Sequence, residues 1–164
     1  MRLFIAINLP QEIKDKIEEA VTKIQPLFND FPVRFLTPKN WHLTITFLGY
    51  QPDEAVSLIL RSAQETAAGF DPVLIKFEKI IYGPPGKPAR MLWLAGAEET
   101  SRNLGEIKNK LEDELIKNGS RFQREKREYN AHLTLARFQY GEAELPKEVQ
   151  LPKIDCCFKA KTLD

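Results

Sequence analysis

An α+β fold built as an imperfect internal duplication is the architecture that this chain of 164 residues predicts. Three observations carry it. The two histidines of the chain open the same phrase, His42-Leu43-Thr44-Ile45 and His132-Leu133-Thr134-Leu135. Both phrases sit in apolar, β-rich runs of strand length, one in each half of the chain. Around them, helical and extended patterns follow in the order strand, helix, strand, helix, strand, strand, helix, strand. The halves share no extended identity, so the duplication rests on the motifs and the element order.

Residues Arg2 to Leu9 are rich in Leu, Phe and Ile and read as a buried strand ended by Pro10, which suits the first turn of a following helix. From Gln11 to Phe28, residues Ile13, Ile17, Ala20, Val21, Ile24 and Leu27 recur at helical spacing with Glu and Lys opposite, which predicts an amphipathic helix lying on a sheet. Arg34 to Thr37 is a short extended candidate, and Pro38-Lys39-Asn40 is a turn. Trp41 to Leu48 is the first motif strand, closed by Gly49. A second helix starts at Pro52-Asp53-Glu54 and runs through Ala55, Val56, Leu58, Ile59 and Ala63 towards Gly69. Pro72 to Ile81 and Ala89 to Ala97 are β-rich runs on either side of a Pro- and Gly-rich loop, the pattern of a hairpin. Thr100 to Lys117 returns to helix through Leu104, Ile107, Lys108, Leu111 and Leu115, with Asn118-Gly119 as the stop. Tyr129 to Phe138 is the second motif strand.

A hydrophobic share of 43% over this length allows one sizeable core or two small lobes sharing an interface, and residues 1–164 are expected to form one unit. Charged residues reach 29%, yet the net charge is only +1, which excludes a global basic field. Any nucleic-acid contact has to be local. The apolar N-terminus breaks at Pro10 and runs into Glu12, Lys14, Asp15 and Lys16, too short and too charged for a signal peptide or membrane span. A soluble, cytoplasmic protein is expected. Cys156 and Cys157 are adjacent, a poor geometry for a disulfide between them, and point to a reducing compartment. Two distant histidines and one vicinal cysteine pair make no zinc pattern, so neither a metal nor a cofactor is expected.

An imidazole changes protonation near neutral pH, so two of them can supply the acid and the base of one reaction. At ordinary residue frequencies a given His is followed by Leu-Thr about one time in 200, and here both are. Two alternatives stand beside the catalytic one: a repeated strand signature that happens to carry His, and two unrelated core histidines each satisfied by a backbone bond. Strand alternation puts His42, Thr44 and Thr46 on one face, with Trp41, Leu43, Ile45 and Phe47 on the other. His132 and Thr134 share a face in the same way, opposite Leu133 and Leu135. If the halves face each other across a cleft, imidazoles and hydroxyls converge on a common centre. That set suits a phosphate diester: a Thr hydroxyl donates to a nonbridging oxygen, one His takes the proton of water, and the other protonates the departing alkoxide. No Gly-x-Ser-x-Gly and no Gly-rich phosphate loop is present.

The paired His-x-Thr-x motifs, the opening Arg2-Leu3-Phe4-Ile5-Ala6-Ile7 and the run His132-Leu133-Thr134-Leu135-Ala136-Arg137 resemble the two-histidine phosphoesterases. Within them the similarity is to the LigT-like RNA 2′,3′-cyclic phosphodiesterases, also known as 2′-5′ RNA ligases, and it spans the chain from the first strand to about Phe138. The resemblance implies a bilobal, pseudo-twofold α+β fold, with two antiparallel sheets flanking a central cleft and helices outside. It also implies hydrolysis of an RNA 2′,3′-cyclic phosphate to a 2′-phosphomonoester, with His42 as proton donor to the 3′ oxygen and His132 as the base that activates water. RNA ends or small cyclic nucleotides are then the expected partners, with no membrane and no metal, and a monomer is expected. The family continues past the second motif through more sheet than residues 141–164 easily supply, so one sheet edge is expected to be reduced.

Arg137 matches the family pattern, where a cation helps to bind the phosphate. Strict alternation turns it away from His132, so it reaches the site only if the strand ends, bends or bulges; a structural ion pair or a snorkelling surface role is the alternative. Arg90, beside the Pro-rich loop, is read as surface, with a ligand contact at the cleft mouth as the alternative. Arg121, Arg124, Lys126 and Arg127 surround Phe122 in a basic loop that either follows an RNA backbone or is merely solvated, since Glu125 and Glu128 dilute it. Trp41, Phe47, Phe77 and Trp93 are read as core, whereas Phe35 and Tyr82 lie beside turns. Beside hydrolysis stand two other functions: the same site run backwards as an RNA ligase, and a noncatalytic RNA-binding module.

Overall fold

The computed structural model describes residues 1–139 and 151–164. Among them, strands β1 (Arg2–Asn8), β2 (Val33–Phe35), β3 (His42–Tyr50), β4 (Val73–Gly83), β5 (Met91–Gly96), β6 (His132–Phe138) and β7 (Lys153–Ala160) alternate with helices α1 (Gln11–Ile24), α2 (Val56–Ala68) and α3 (Glu98–Lys117). The apolar positions decide which helix faces are covered. Ile13, Ile17, Val21 and Ile24 line the buried side of α1, and Leu104, Ile107, Leu111 and Leu115 that of α3. These faces and the inward positions of the strands form one continuous core, with Leu43, Leu94, Leu133 and Leu135 fully covered.

All strand pairings are antiparallel. Here the fold departs from the expected pair of separate sheets: the strands form one sheet in the order β1-β3-β6-β5-β4-β7, with β2 paired to β6 beside this path. The two motif strands are the joint. They pair at a single position, Leu43 opposite Leu133. On one side of that position β2 takes over the edge of β6, pairing Val33 with Phe138, Arg34 with Arg137 and Phe35 with Ala136. On the other side the Tyr129 hydroxyl donates to the Thr44 carbonyl at 2.8 Å, using an acceptor that a continued ladder would have used. The sheet therefore splays around Leu43 and Leu133.

Strand β7 forms the edge of the sheet beside β4, pairing along Val73–Phe77 and again at Lys79, and residues 140–150 of the tail lie outside the described residues. Its alternation is regular: Ile154, Cys156 and Phe158 are buried, and Cys157 faces out, so the vicinal cysteines point to opposite sides and both are free. Beyond β7, Asp164 exchanges two 2.9 Å backbone hydrogen bonds with Ala6 of β1. No helix of the described residues is long and apolar enough to cross a membrane.

One charged cluster is built into the core. Lys108 and Glu112 of α3 are 5% and 1% exposed and pair at 2.9 Å. The second carboxylate oxygen of Glu112 accepts from Arg124 at 2.9 Å, and the first also accepts from the Thr46 hydroxyl at 2.7 Å. Burial of two charges is tolerated because every carboxylate oxygen has a donor.

Candidate active site

The position of the single joint decides what the open face of the sheet presents. With Leu43 and Leu133 pointing together into the core, their chain neighbours His42 and Thr44 on β3, and His132 and Thr134 on β6, emerge on the other face. All four are partly exposed, and their chain neighbours Trp41, Leu43, Ile45, Ala131, Leu133 and Leu135 are buried. The structure thus brings together the two imidazoles and two hydroxyls that the spacing singled out. Neither the Thr44 nor the Thr134 hydroxyl has a hydrogen-bond partner among the described residues.

Both motif strands then carry a bulge at the same place. Ile5 lies opposite Thr46 and Ala6 opposite Thr44, which leaves Ile45 as the extra residue of β3. Leu92 lies opposite Ala136 and Trp93 opposite Thr134, which leaves Leu135 as the extra residue of β6. Each bulge sets two successive side chains inward and reverses the alternation beyond it. Three expectations change with it. Thr46 does not share the face of His42 and Thr44; it is 5% exposed and its hydroxyl is committed to Glu112. Arg137, which strict alternation turned away, emerges on the motif face, close enough to His42 for its charge to be felt there. Phe47, expected in the core, is 59% exposed for the same reason, whereas Trp41 and Phe77 are covered as expected.

Each imidazole is held on two sides. His132 donates from Nδ1 to the Asn130 carbonyl at 2.7 Å, which fixes the neutral ring with its Nε2 lone pair outward. His42 bonds in the same way to the backbone of Asn40. Trp93 stacks on His132 with ring centres 3.7 Å apart and planes 19° apart, and Phe4 stacks on His42 at 4.8 Å and 20°. The indole has room because residue 83 is glycine: a Cβ there would lie 2.4 Å from Trp93 Cδ2. Burial lowers the pKa of both imidazoles, against the opposing pull of the asparagine carbonyls. The Arg137 cation lowers His42 further, and Arg127 does the same to His132, partly offset by Glu125.

The sequence signals missed the stacking rings, because Trp93 at 5% exposure satisfies every criterion of a core residue. The asparagines were visible: the repeat extends upstream as Asn40-Trp41-His42 and Asn130-Ala131-His132. The basic loop is less available than its composition suggested, since Arg124 is bound to Glu112 and Asp113, and Arg127 to Glu125. Phe35 packs against Phe28 and Tyr82 against Phe138. No group of three His, Cys, Asp or Glu side chains among the described residues is placed to hold a metal ion.

Comparison with known proteins gives this arrangement a setting. The chain is 32% identical over 147 residues to an RNA 2′,3′-cyclic phosphodiesterase of Bacillus subtilis, covering 89% of this chain and 76% of the relative. A protein of the same name from Methanocaldococcus jannaschii is 31% identical over 85% of this chain and 73% of its own length. Among solved structures, protein TT0787 of Thermus thermophilus superposes with a TM-score of 0.76 at 25% identity, covering 99% of this chain and 86% of that one. Escherichia coli LigT complexed with 3′-AMP shares the fold with a TM-score of 0.68 at 24% identity, over 97% and 83% of the two chains. The model of the LigT-like phosphoesterases matches residues 7–93, from the first strand through the His42 motif to the tryptophan that stacks on His132. By that match and by its relatives, the chain belongs to the LigT-like phosphoesterase family.

Proposed function

We propose that the protein opens the 2′,3′-cyclic phosphate end of RNA to a 2′-phosphomonoester without a metal, with His42 and His132 as the acid and base. The observation that carries this reading is the single Leu43–Leu133 pair, which sets both His-x-Thr motifs side by side on the open face. The names of the relatives supply the substrate class.

In the proposed reaction, the cyclic phosphate sits over the joint with its nonbridging oxygens on the Thr44 and Thr134 hydroxyls, and Arg137, further along β6, binds another part of the substrate. His132, neutral with Nε2 outward, takes a proton from water as the water oxygen attacks phosphorus. The bond from phosphorus to the 3′ oxygen breaks, and His42 delivers its proton to that oxygen. The 2′ ester bond stays, and solvent exchange returns both imidazoles to their starting states. The bound phosphate anion favours the imidazolium of His42 and offsets Arg137, so the substrate itself charges the acid.

A pseudo-twofold origin accounts for the shared details of the two motif strands. In each, an asparagine carbonyl precedes the histidine by two residues, and a bulge follows the histidine by three. On this view residues 1–164 act as one two-lobed domain, monomeric and cytoplasmic.

The test is product analysis of an RNA oligonucleotide ending in a 2′,3′-cyclic phosphate, in excess chelator. Wild type is expected to yield the 2′-phosphate, and His42→Ala and His132→Ala each to lose about 10²–10⁴-fold in kcat while keeping the wild-type circular dichroism. Full activity in either folded variant overturns the paired-histidine reading, and a 3′-phosphate product overturns the assigned leaving group.

A further inference from the structure

Arg34 faces Arg137 directly across the β2–β6 pair. The neighbours of Arg34 on the three-residue β2, Val33 and Phe35, turn inward, and Phe35 meets Phe28 with ring centres 6.0 Å apart. Arg34 itself is exposed and emerges on the face of Arg137, which is the face of the two motifs. Like charges directly opposite each other destabilise a sheet. Neither guanidinium has a carboxylate partner among the described residues, in contrast to Arg61, Arg124 and Arg127. A lone unpaired surface arginine is ordinary, whereas two held face to face by backbone register form a preset fork for an anion.

The position of the fork separates it from the reacting phosphate. Along the open face of β6 the order is His132, Thr134, Arg137, so Arg137 lies one same-face step, about 7 Å, beyond Thr134. Arg34 lies one further strand away, on the His42 side of β6. The cyclic phosphate already has two free hydroxyl donors and both imidazoles at the joint. The step out to the fork is comparable with that between successive backbone phosphates.

We infer that Arg34 and Arg137 together bind a second phosphate, the one on the 5′ oxygen of the nucleotide being opened, so that the site selects RNA ends and 5′-phosphorylated nucleotides over simple cyclic nucleosides. This rests on the proposed reaction and deepens it. A chain phosphodiester and a terminal 5′-phosphate present the same anion to the fork.

The experiment compares kcat/KM for adenosine 2′,3′-cyclic phosphate with and without a 5′-phosphate, in wild type, Arg34→Gln and Arg34→Lys. Wild type is expected to favour the 5′-phosphorylated substrate by about tenfold or more. In Arg34→Gln that ratio is expected to collapse towards one, and in Arg34→Lys to recover in part. The thermal midpoint of Arg34→Gln is expected to be no lower than that of wild type, since one of two opposed charges is gone. Equal rates on both substrates in wild type, or an undiminished ratio in Arg34→Gln, overturn the inference and leave the hydrolase reading standing. Opening of neither substrate, nor of the oligonucleotide, by wild type removes both.

Discussion

His42 and His132 share a motif, a backbone acceptor and an aromatic lid, and they differ in their charged neighbours. Burial lowers both, with Arg137 acting on His42 and Arg127 opposing Glu125 at His132. In the proposed reaction the acid, His42, loses activity as pH rises through its pKa, and the base, His132, loses activity as pH falls through its own. Since both lie below 6.5 in the free protein, the bell of kcat/KM against pH is expected to peak below 6.5. The alkaline limb of kcat is expected at higher pH than that of kcat/KM, because bound phosphate raises His42. A kcat/KM maximum well above neutrality contradicts these assignments. The same groups link to stability: with depressed native pKa values, the fold keeps their full contribution above 6.5 and loses it as pH falls through them. A thermal midpoint measured from about pH 7.5 to 5 should therefore decline less in His42→Ala/His132→Ala than in wild type.

At the scale of elements, the bulges at Ile45 and Leu135 and the glycine at the end of β4 place the site. Gly83→Ala is expected to drive Cβ into the indole of Trp93, costing about 1–3 kcal/mol and uncovering His132. Its imidazole, followed by NMR titration, should then move up towards the ordinary value; an unmoved titration means that the stack survives. These devices also mark what the sequence could disclose. The three helices, the hairpin and both motif strands are legible because their signals are local: helical spacing in α1 and α3, turn residues around the 84–88 loop, and a repeated phrase. A bulge has no such signature, and period-two alternation runs past it unchanged. That is why alternation alone sets Thr46 on the motif face and Arg137 off it. Strand β7 does carry alternation, in Ile154, Cys156 and Phe158, but its partner β4 lies some eighty residues earlier, a pairing that only the folded sheet discloses. The same holds for the joining of the sheets, which depends on one long-range pair.

At the scale of the molecule, the buried Lys108–Glu112 pair connects α3 to β3 through Thr46 and to the 118–131 loop through Arg124. Glu112→Ala strands Lys108 without a counter-charge and is expected to cost about 3–5 kcal/mol in denaturant unfolding. Replacement of both by Met is expected to cost less, because no lone charge remains; if the double variant is the less stable one, the cluster contributes more than mutual neutralisation. The Leu43–Leu133 contact acts at the same scale. A molecule whose two motif strands share one backbone pairing has a weak seam in its middle, and in the proposed reaction the substrate is a stitch across it. Amide hydrogen exchange at residues 42–44 and 132–134 is expected to report that seam opening at lower free energy than the centres of β3 and β6. A ligand that spans both motifs should slow this exchange in proportion to its saturation, so that proton exchange at the seam serves as a binding assay that needs no turnover.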